Sequence, residues 1–230
     1  SMVGLFFVLL SYSYGVITVQ YKVFPFNEIR AVKNFISQSE SRFSPKYLHR
    51  KSFFEVHGVK SDIVMIGDSI TEGAEWDEIF KNSSIVNRGI GGDTAKGILN
   101  RIDSIISTGA KKSFIMVGIN DLNKGVSVDD VYSSYKFIIA ELKRANITPY
   151  IQSTIYAGEK LSNLNSSISS LNVKLEKLAK KEGLIYIDLN EELSPDGLLK
   201  NRFTKDDVHL NGQGYWVWKK LIGQYIEPKA

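Results

Sequence analysis

Five short apolar runs, rich in β-branched residues and separated by longer segments of helical period, constrain this chain more than any other feature. The runs fall at residues 62–67 (DIVMIG), 84–88 (SIVNR), 113–118 (SFIMVG), 147–154 (ITPYIQST) and 184–189 (LIYIDL). The clearest helical segments are 94–107, 127–145, 163–182 and 212–226, with Ser127 and Asn163 at N-cap positions. Strands alternating with helices of this length predict βαβ units and a parallel sheet. Right-handed crossovers then place helices on both of its faces. The expected α/β domain runs over residues 61–230.

Parallel sheets bind ligands at the carboxyl ends of their strands, so the residues that follow each run carry the functional information. Asp68-Ser69 follow the first run, Gly89-Ile90-Gly91-Gly92-Asp93 the second and Gly118-Ile119-Asn120-Asp121 the third. A later loop carries Asp206-Asp207-Val208-His209. Polar residues and glycines therefore collect along one edge of the sheet.

Ser69 stands where a strand turns into a helix. Unpaired backbone N–H groups at a helix start face whatever sits there. A serine hydroxyl in that place can act as a nucleophile; the alternative is an ordinary N-cap. Thr71 occupies the second glycine of the G-x-S-x-G elbow, which sets the chain apart from the α/β-hydrolases. The turn 87–94 is neither a G-x-G-x-x-G dinucleotide site nor a P-loop, so no cofactor is expected. Asn120 can offer a side-chain N–H to an oxyanion, or simply form a turn. A serine nucleophile needs a base, and histidine is the usual one. His209 is one of three histidines, the others being His49 and His57. Asp206 lies three residues before it and can fix its tautomer. Asp207 competes for that role, and the sequence leaves the choice open. No second histidine or cysteine accompanies His209 to make a metal site.

The motifs "GDSIT", "NRGIGGDT", "GIND" and "DDVHL" resemble, in order, the four blocks of the SGNH hydrolases, also called the GDSL lipases and esterases. Ile70 and Thr71 stand where the GDSL motif has leucine, a common variation. The resemblance covers about residues 61–226. It looks closest to the branch with "GIGGDT" in its second block, which includes platelet-activating-factor acetylhydrolase catalytic subunits and bacterial carbohydrate esterases. It implies a flavodoxin-like three-layer α/β/α sandwich with a five-stranded parallel sheet. It also implies that Ser69 is the nucleophile, that His209 is the general base and then acid, and that Asp206 orients His209. The oxyanion hole would comprise the N–H groups of Ser69 and Gly92 and the side chain of Asn120.

The activity implied is a serine esterase acting on a small acyl ester, such as an O-acetyl group on a glycan. An acyltransferase, a lysophospholipase or a thioesterase would use the same site. A glycan-binding module without turnover is the reading from a different class. Ile90, Ile119, Leu122, Ile155, Tyr156 and Val208 are candidates to line an acyl channel, or else ordinary core, and the loop 155–163 to cover the site.

Composition narrows the partners. The chain has no cysteine, which excludes disulfides, thiolate zinc sites and cysteine nucleophiles. The net charge is +4. The one basic cluster, Lys174 to Lys181, is mixed with Glu176 and Glu182 at helical spacing. It reads as a solvated helix face, not a nucleic-acid surface. Residues 1–21 contain no charged side chain. A stretch of roughly 20 apolar residues suffices to cross a bilayer, so a membrane anchor and a location at the cell envelope are expected. Residues 22–60 read as a connector. Ile29, Val32, Phe35 and Ile36 mark a short helix there, and 41–58 reads as irregular chain broken by Pro45.

Overall fold

The computed structural model describes residues 43–226. The apolar segment 1–21 and the helix expected near 29–36 lie outside the described residues. Residues from Pro45 onward form one compact unit. Among the described residues no helix is long and apolar enough to cross a membrane.

All five expected runs form strands: β1 (Ile63–Gly67), β2 (Ile85–Gly89), β3 (Lys112–Met116), β4 (Thr148–Gln152) and β5 (Ile185–Ile187). They pair in parallel in the order β2-β1-β3-β4-β5. This is the flavodoxin-like order, whose switch point lies between β1 and β3. β1 is buried along its whole length, as a central parallel strand covered on both faces must be.

Side chains alternate across the sheet. Asn87, Met65, Phe114 and Tyr150 are in register and share one face. The last helix covers that face. Tyr150 stacks on Phe114 at 4.7 Å and meets Tyr225 at 5.5 Å, while Trp218 Nε1 donates to Gln152 Oε1 at 2.6 Å. Val64, Ile66, Ile115 and Ile151 point to the other face and are fully buried.

Among the described residues the α-helices are α1 (Pro45–Val56), α2 (Ser69–Glu72), α3 (Trp76–Phe80), α4 (Ala95–Asn100), α5 (Ile102–Ile106), α6 (Ile119–Asn123), α7 (Val128–Arg144), α8 (Asn165–Glu182), α9 (Asn190–Leu193) and α10 (Gly212–Ile226). The expected helix 94–107 is two, divided at Arg101. Ser127 caps α7 as predicted, its side chain accepting from Asp130 N–H.

Two expectations are corrected. Asn163 does not cap α8; it lies inside a 3₁₀ turn, Glu159–Leu164. Asn165 opens the helix, and its amide clamps the backbone of Ala157 from both sides, at 2.8 and 2.9 Å, and reaches Gly197 O at 2.9 Å. The stretch around Pro45 is not irregular either. Pro45 is the first residue of α1, where a missing N–H costs nothing and the fixed φ favours the helix. Tyr47 and Phe54 bury α1's inner side. Tyr47 Oη donates to Gly97 O at 2.7 Å and accepts from Asn100 Nδ2 at 3.2 Å.

The carboxyl edge of the sheet is held by buried charge. Arg101 Nε donates to Asp93 at 2.8 Å, and its Nη2 reaches Gly67 O at the end of β1 at 3.3 Å. Asp121 accepts from Ala95 N–H at 3.1 Å. Asp68 accepts from Ile70 N–H at 3.0 Å. All three carboxylates are buried. Burial, opposed by the Ile70 N–H and reinforced by Asp93 and Asp121, pushes Asp68 up to about 7. Burial likewise pushes Asp121 up to about 6, and raises Asp93 against the pull of Arg101.

Two outcomes follow from this packing. Asp68 and Asp121 hold protons in the fold that the unfolded chain releases above about pH 4. Their contribution therefore makes stability fall as pH rises from about 4 to 7. Urea unfolding at pH 5 and pH 8 should show a smaller loss in Asp68→Asn than in the parent. Tyr47→Phe should cost about 1–3 kcal/mol by leaving the Gly97 carbonyl without its donor. An unchanged unfolding midpoint would mean that α1 does not belong to the folded unit.

Candidate active site

β1 ends at Gly67, Asp68 caps the next turn, and Ser69 is the first residue of α2. The cap takes the N–H of Ile70. Ser69 thus occupies the helix position whose own N–H has no intrahelical acceptor. Its side chain is half-exposed at the sheet edge.

His209 arrives from the other end of the chain. Its Nε2 lies 2.8 Å from Ser69 Oγ, and its Nδ1 lies 2.7 Å from Asp206 Oδ2. The second oxygen of Asp206 accepts from the backbone N–H groups of Val208 at 3.0 Å and His209 at 2.8 Å. One carboxylate therefore fixes both the loop and the ring. Its partial burial works to raise its pKa. The hydrogen bonds from the His209 ring, the His209 N–H and the Val208 N–H outweigh that and hold it at about 2. Asp206 is an anion throughout the neutral range, and it keeps the Nδ1 proton in place so that Nε2 can accept from Ser69.

Asp207 points elsewhere. It adopts φ of +71°, an uncommon conformation for a residue with a side chain. Its carbonyl accepts from Gly158 N–H at 2.8 Å, and its carboxylate accepts from Lys160 N–H at 3.3 Å. The left-handed residue reverses the chain so that Asp206 and His209 meet. It also fastens their loop to the segment after β4.

The glycine turn after β2 is tied to the same edge, with Ile90 N–H donating to Gly67 O at 3.2 Å. Gly92 is exposed, has φ of +76°, and its carbonyl accepts from Lys124 Nζ at 3.0 Å. Asn120 is half-buried on α6, and its Nδ2 donates to Asp93 O at 3.0 Å, which joins the third block to the second. Ser69, His209 and Asp206 form one hydrogen-bonded chain. Gly92 and Asn120 belong to a turn and a helix fastened to the strand end that carries Ser69.

Two positioning contacts escaped sequence reasoning. Asn87, on β2, donates to the carbonyls of Thr71, Glu72 and Ala74 at 3.0, 3.1 and 2.9 Å. Its Oδ1 accepts from Gly89 N–H at 2.8 Å. It thereby links the segment bearing Ser69 to the one bearing Gly92. Tyr215, on α10, donates to Ile70 O at 2.7 Å. Both act on backbone groups remote in sequence, which no local pattern marks; the asparagine inside "NRGIGGDT" was the only available signal.

Of the residues considered for an acyl channel, Ile90, Ile119, Leu122 and Ile155 are buried in the core. Tyr156 and Val208 are half-buried against it. Among the described residues no group of three or more His, Cys, Asp or Glu is placed to hold a metal ion.

Residues 65–217, more than half of the chain, match the model of the GDSL-like lipase/acylhydrolase family. An N-acylneuraminate cytidylyltransferase of Streptococcus agalactiae is 23% identical over 72% of the chain, which spans only 38% of that relative's length. The platelet-activating factor acetylhydrolase IB subunit alpha2 of Rattus norvegicus is 25% identical over 73% of the chain and 76% of its own length. A crystal structure of a Bacteroides fragilis protein assigned as an acylhydrolase superposes with a TM-score of 0.70 at 26% identity, covering 80% of this chain and 97% of that one. An acetyl-xylooligosaccharide esterase from Geobacillus shares the fold, with a TM-score of 0.63 at 18% identity over 75% of this chain and 98% of its own. The chain belongs to the GDSL-like lipase/acylhydrolase family.

Proposed function

We propose that this enzyme hydrolyses small acyl esters, acetyl esters foremost, through an acyl-serine intermediate on Ser69. The observation that carries the reading is the unbroken run of hydrogen bonds from Asp206 through His209 to Ser69 Oγ. Ser69 Oγ attacks the ester carbonyl carbon while its proton passes to His209 Nε2. The carbonyl oxygen becomes an oxyanion facing the N–H groups of Ser69 and Gly92 and the amide of Asn120. The carbon–oxygen bond to the alcohol then breaks, and the imidazolium returns its proton to the leaving oxygen. Water, deprotonated by the same nitrogen, attacks the acyl-serine and releases the carboxylic acid and the free serine. An oxyanion donor is worth about 10²–10³ in rate, and an oriented base roughly 10²–10⁴.

An acetyl group suits the packed edge, because four of the six residues considered for a longer acyl channel lie in the core. The acetylhydrolase and the acetyl-xylooligosaccharide esterase among the relatives support the same choice. We also read residues 1–21 as a membrane anchor. The support is their sequence alone, with no charged side chain before Lys22. Retention of the full chain in the membrane pellet after a high-salt wash is the expected outcome; release by salt would end that reading.

Purified enzyme should be labelled by a fluorophosphonate at Ser69 and should turn over p-nitrophenyl acetate. Ser69→Ala and His209→Ala should each abolish nearly all of that turnover, and the double variant should lose little more, since the two act as a unit. Asp206→Asn should lower kcat by roughly 10²–10⁴, whereas Asp207→Asn should keep most of it. Turnover that survives in Ser69→Ala would overturn the mechanism.

A further inference from the structure

Arg88 lies on edge strand β2 within the "NRGIGGDT" motif and is 5% exposed. Its Nη1 reaches the carbonyl of Asn87 at 3.2 Å, while its Nε and Nη2 are buried without a hydrogen-bond partner. Its guanidinium stacks over Phe54 at 4.5 Å, and that of Arg50 lies 4.7 Å from the same ring. Arg50 Nε is also buried without a hydrogen-bond partner. The nearest acid to it is Glu72, at 3.7 Å, beyond hydrogen-bond reach. Glu72 already holds Lys46 Nζ at 2.6 Å. Arg101, the other guanidinium nearby, is taken up by Asp93 at 2.8 Å.

Lys46 and Arg50 thus share the Glu72 carboxylate, and among the described residues no acid pairs with Arg88. Burial of Arg88, with the charges of Arg101 and Arg50 added, works against its positive form and lowers its pKa. A buried donor of a charged group left unmade is costly, and like charges collected without counter-charge add to that cost. An oxyanion supplies what this cluster lacks, because guanidinium forks and carboxylate or phosphate oxygens match in geometry and charge.

The cluster borders the reaction centre. Glu72 is three residues beyond Ser69 on α2. A Cβ placed on Gly91, the neighbour of Gly92, would lie 2.5 Å from Lys46 Nζ and 3.0 Å from Glu72 Oε2. The side chains of Lys46 and Arg50 are 59% and 37% exposed, so a ligand can reach them from solvent, with Arg88 beneath. Both belong to α1, which lies outside the family-matched residues 65–217.

We infer that Lys46, Arg50 and Arg88 form an anion subsite beside the Gly91-Gly92 turn, and that the alcohol part of the substrate carries a carboxylate or phosphate seated there. The inference rests on the esterase reading and specifies its substrate as an acylated acidic molecule. The anion binds away from the ester carbon, so it governs capture of the substrate, and its attraction weakens with salt.

The test compares three monoacetylated sugars: a neutral methyl glucoside, a methyl glucuronide and a glucose 6-phosphate. The parent enzyme should prefer at least one anionic ester over the neutral one by about tenfold or more in kcat/KM, through a lower KM. The two anionic arms tell carboxylate from phosphate. The preference should shrink towards unity in the Lys46→Gln/Arg50→Gln double variant, and in the parent at high salt. Inorganic phosphate should inhibit the parent competitively against the preferred ester, with that inhibition weakened in the double variant. A parent that treats all three esters alike, or a preference undiminished in the double variant, overturns the subsite. Turnover of p-nitrophenyl acetate and its loss in Ser69→Ala test the underlying esterase reading separately, so the two can fail independently.

Discussion

The structure depends on how closely three segments approach one another at Gly67. A Cβ at that position would overlap both the hydroxyl of Thr71 on α2 and the carbonyl of Met116 on β3. Its absence lets the chain turn at once from β1 into α2 while lying flush against the neighbouring strand. The Gly67 carbonyl then accepts from Ile90 N–H and from Arg101 Nη2. One residue therefore sets the exit of β1, the start of the glycine turn and the seat of the buried arginine. A larger residue would push Ser69 outward, and a displacement of about 1 Å at a reacting group can cost about 10² in rate. The proton path from Ser69 to His209 is short because the backbone beneath it is packed without a side chain.

The loop carrying His209 is anchored in the core at Leu210 and is held at Asp206 and Asp207 by polar contacts. Asp206 spends one oxygen on two backbone N–H groups and the other on the imidazole. Asp207 passes the constraint on to Gly158 and Lys160. The segment before Gly158 is clamped in turn by asparagines: Asn172 on Thr154, Asn190 on Thr154 and Tyr156, and Asn165 on Ala157. Each amide satisfies backbone groups that a strand end leaves unpaired. Rigidity thus reaches the histidine through hydrogen bonds to main chain, and the loop can stay at the surface where a substrate must approach.

This division explains what was legible in the sequence. The strands were legible because apolar β-branched runs leave few alternatives, while the flavodoxin-like arrangement came only with the family resemblance. The first three motif blocks were legible because strand ends carry the chemistry in a parallel sheet, and the fourth because a serine nucleophile needs a histidine. Pro45 misled because a proline reads as a stop, while the first turn of a helix accepts it without loss. Asn163 and Asn165 are equivalent as letters; only the position of Ala157 across the fold separates them. Asp207 was a close competitor of Asp206 for His209 until the left-handed backbone at Asp207 turned one carboxylate to the ring and the other away. What stays hidden in a sequence is the pairing of a side chain with backbone far along the chain, since no local period records it.

Electrostatics at the carboxyl edge follows the same logic on a longer scale. Asp68, Asp93 and Asp121 crowd behind the site with only Arg101 paired among them, and burial raises all three. Full ionisation there would set negative potential behind the carbonyl oxygen that must become an oxyanion. Burial of Asp68, which favours its protonated form, removes part of that penalty at its source. On the other side of α2, cations outnumber acids at Lys46, Arg50, Arg88 and Glu72. The segment that carries Ser69 therefore lies between acids whose burial favours the neutral form and a cluster in which cations exceed acids. Both features lower the cost of negative charge at the reaction centre, whether it develops on the reacting oxygen or arrives with the substrate.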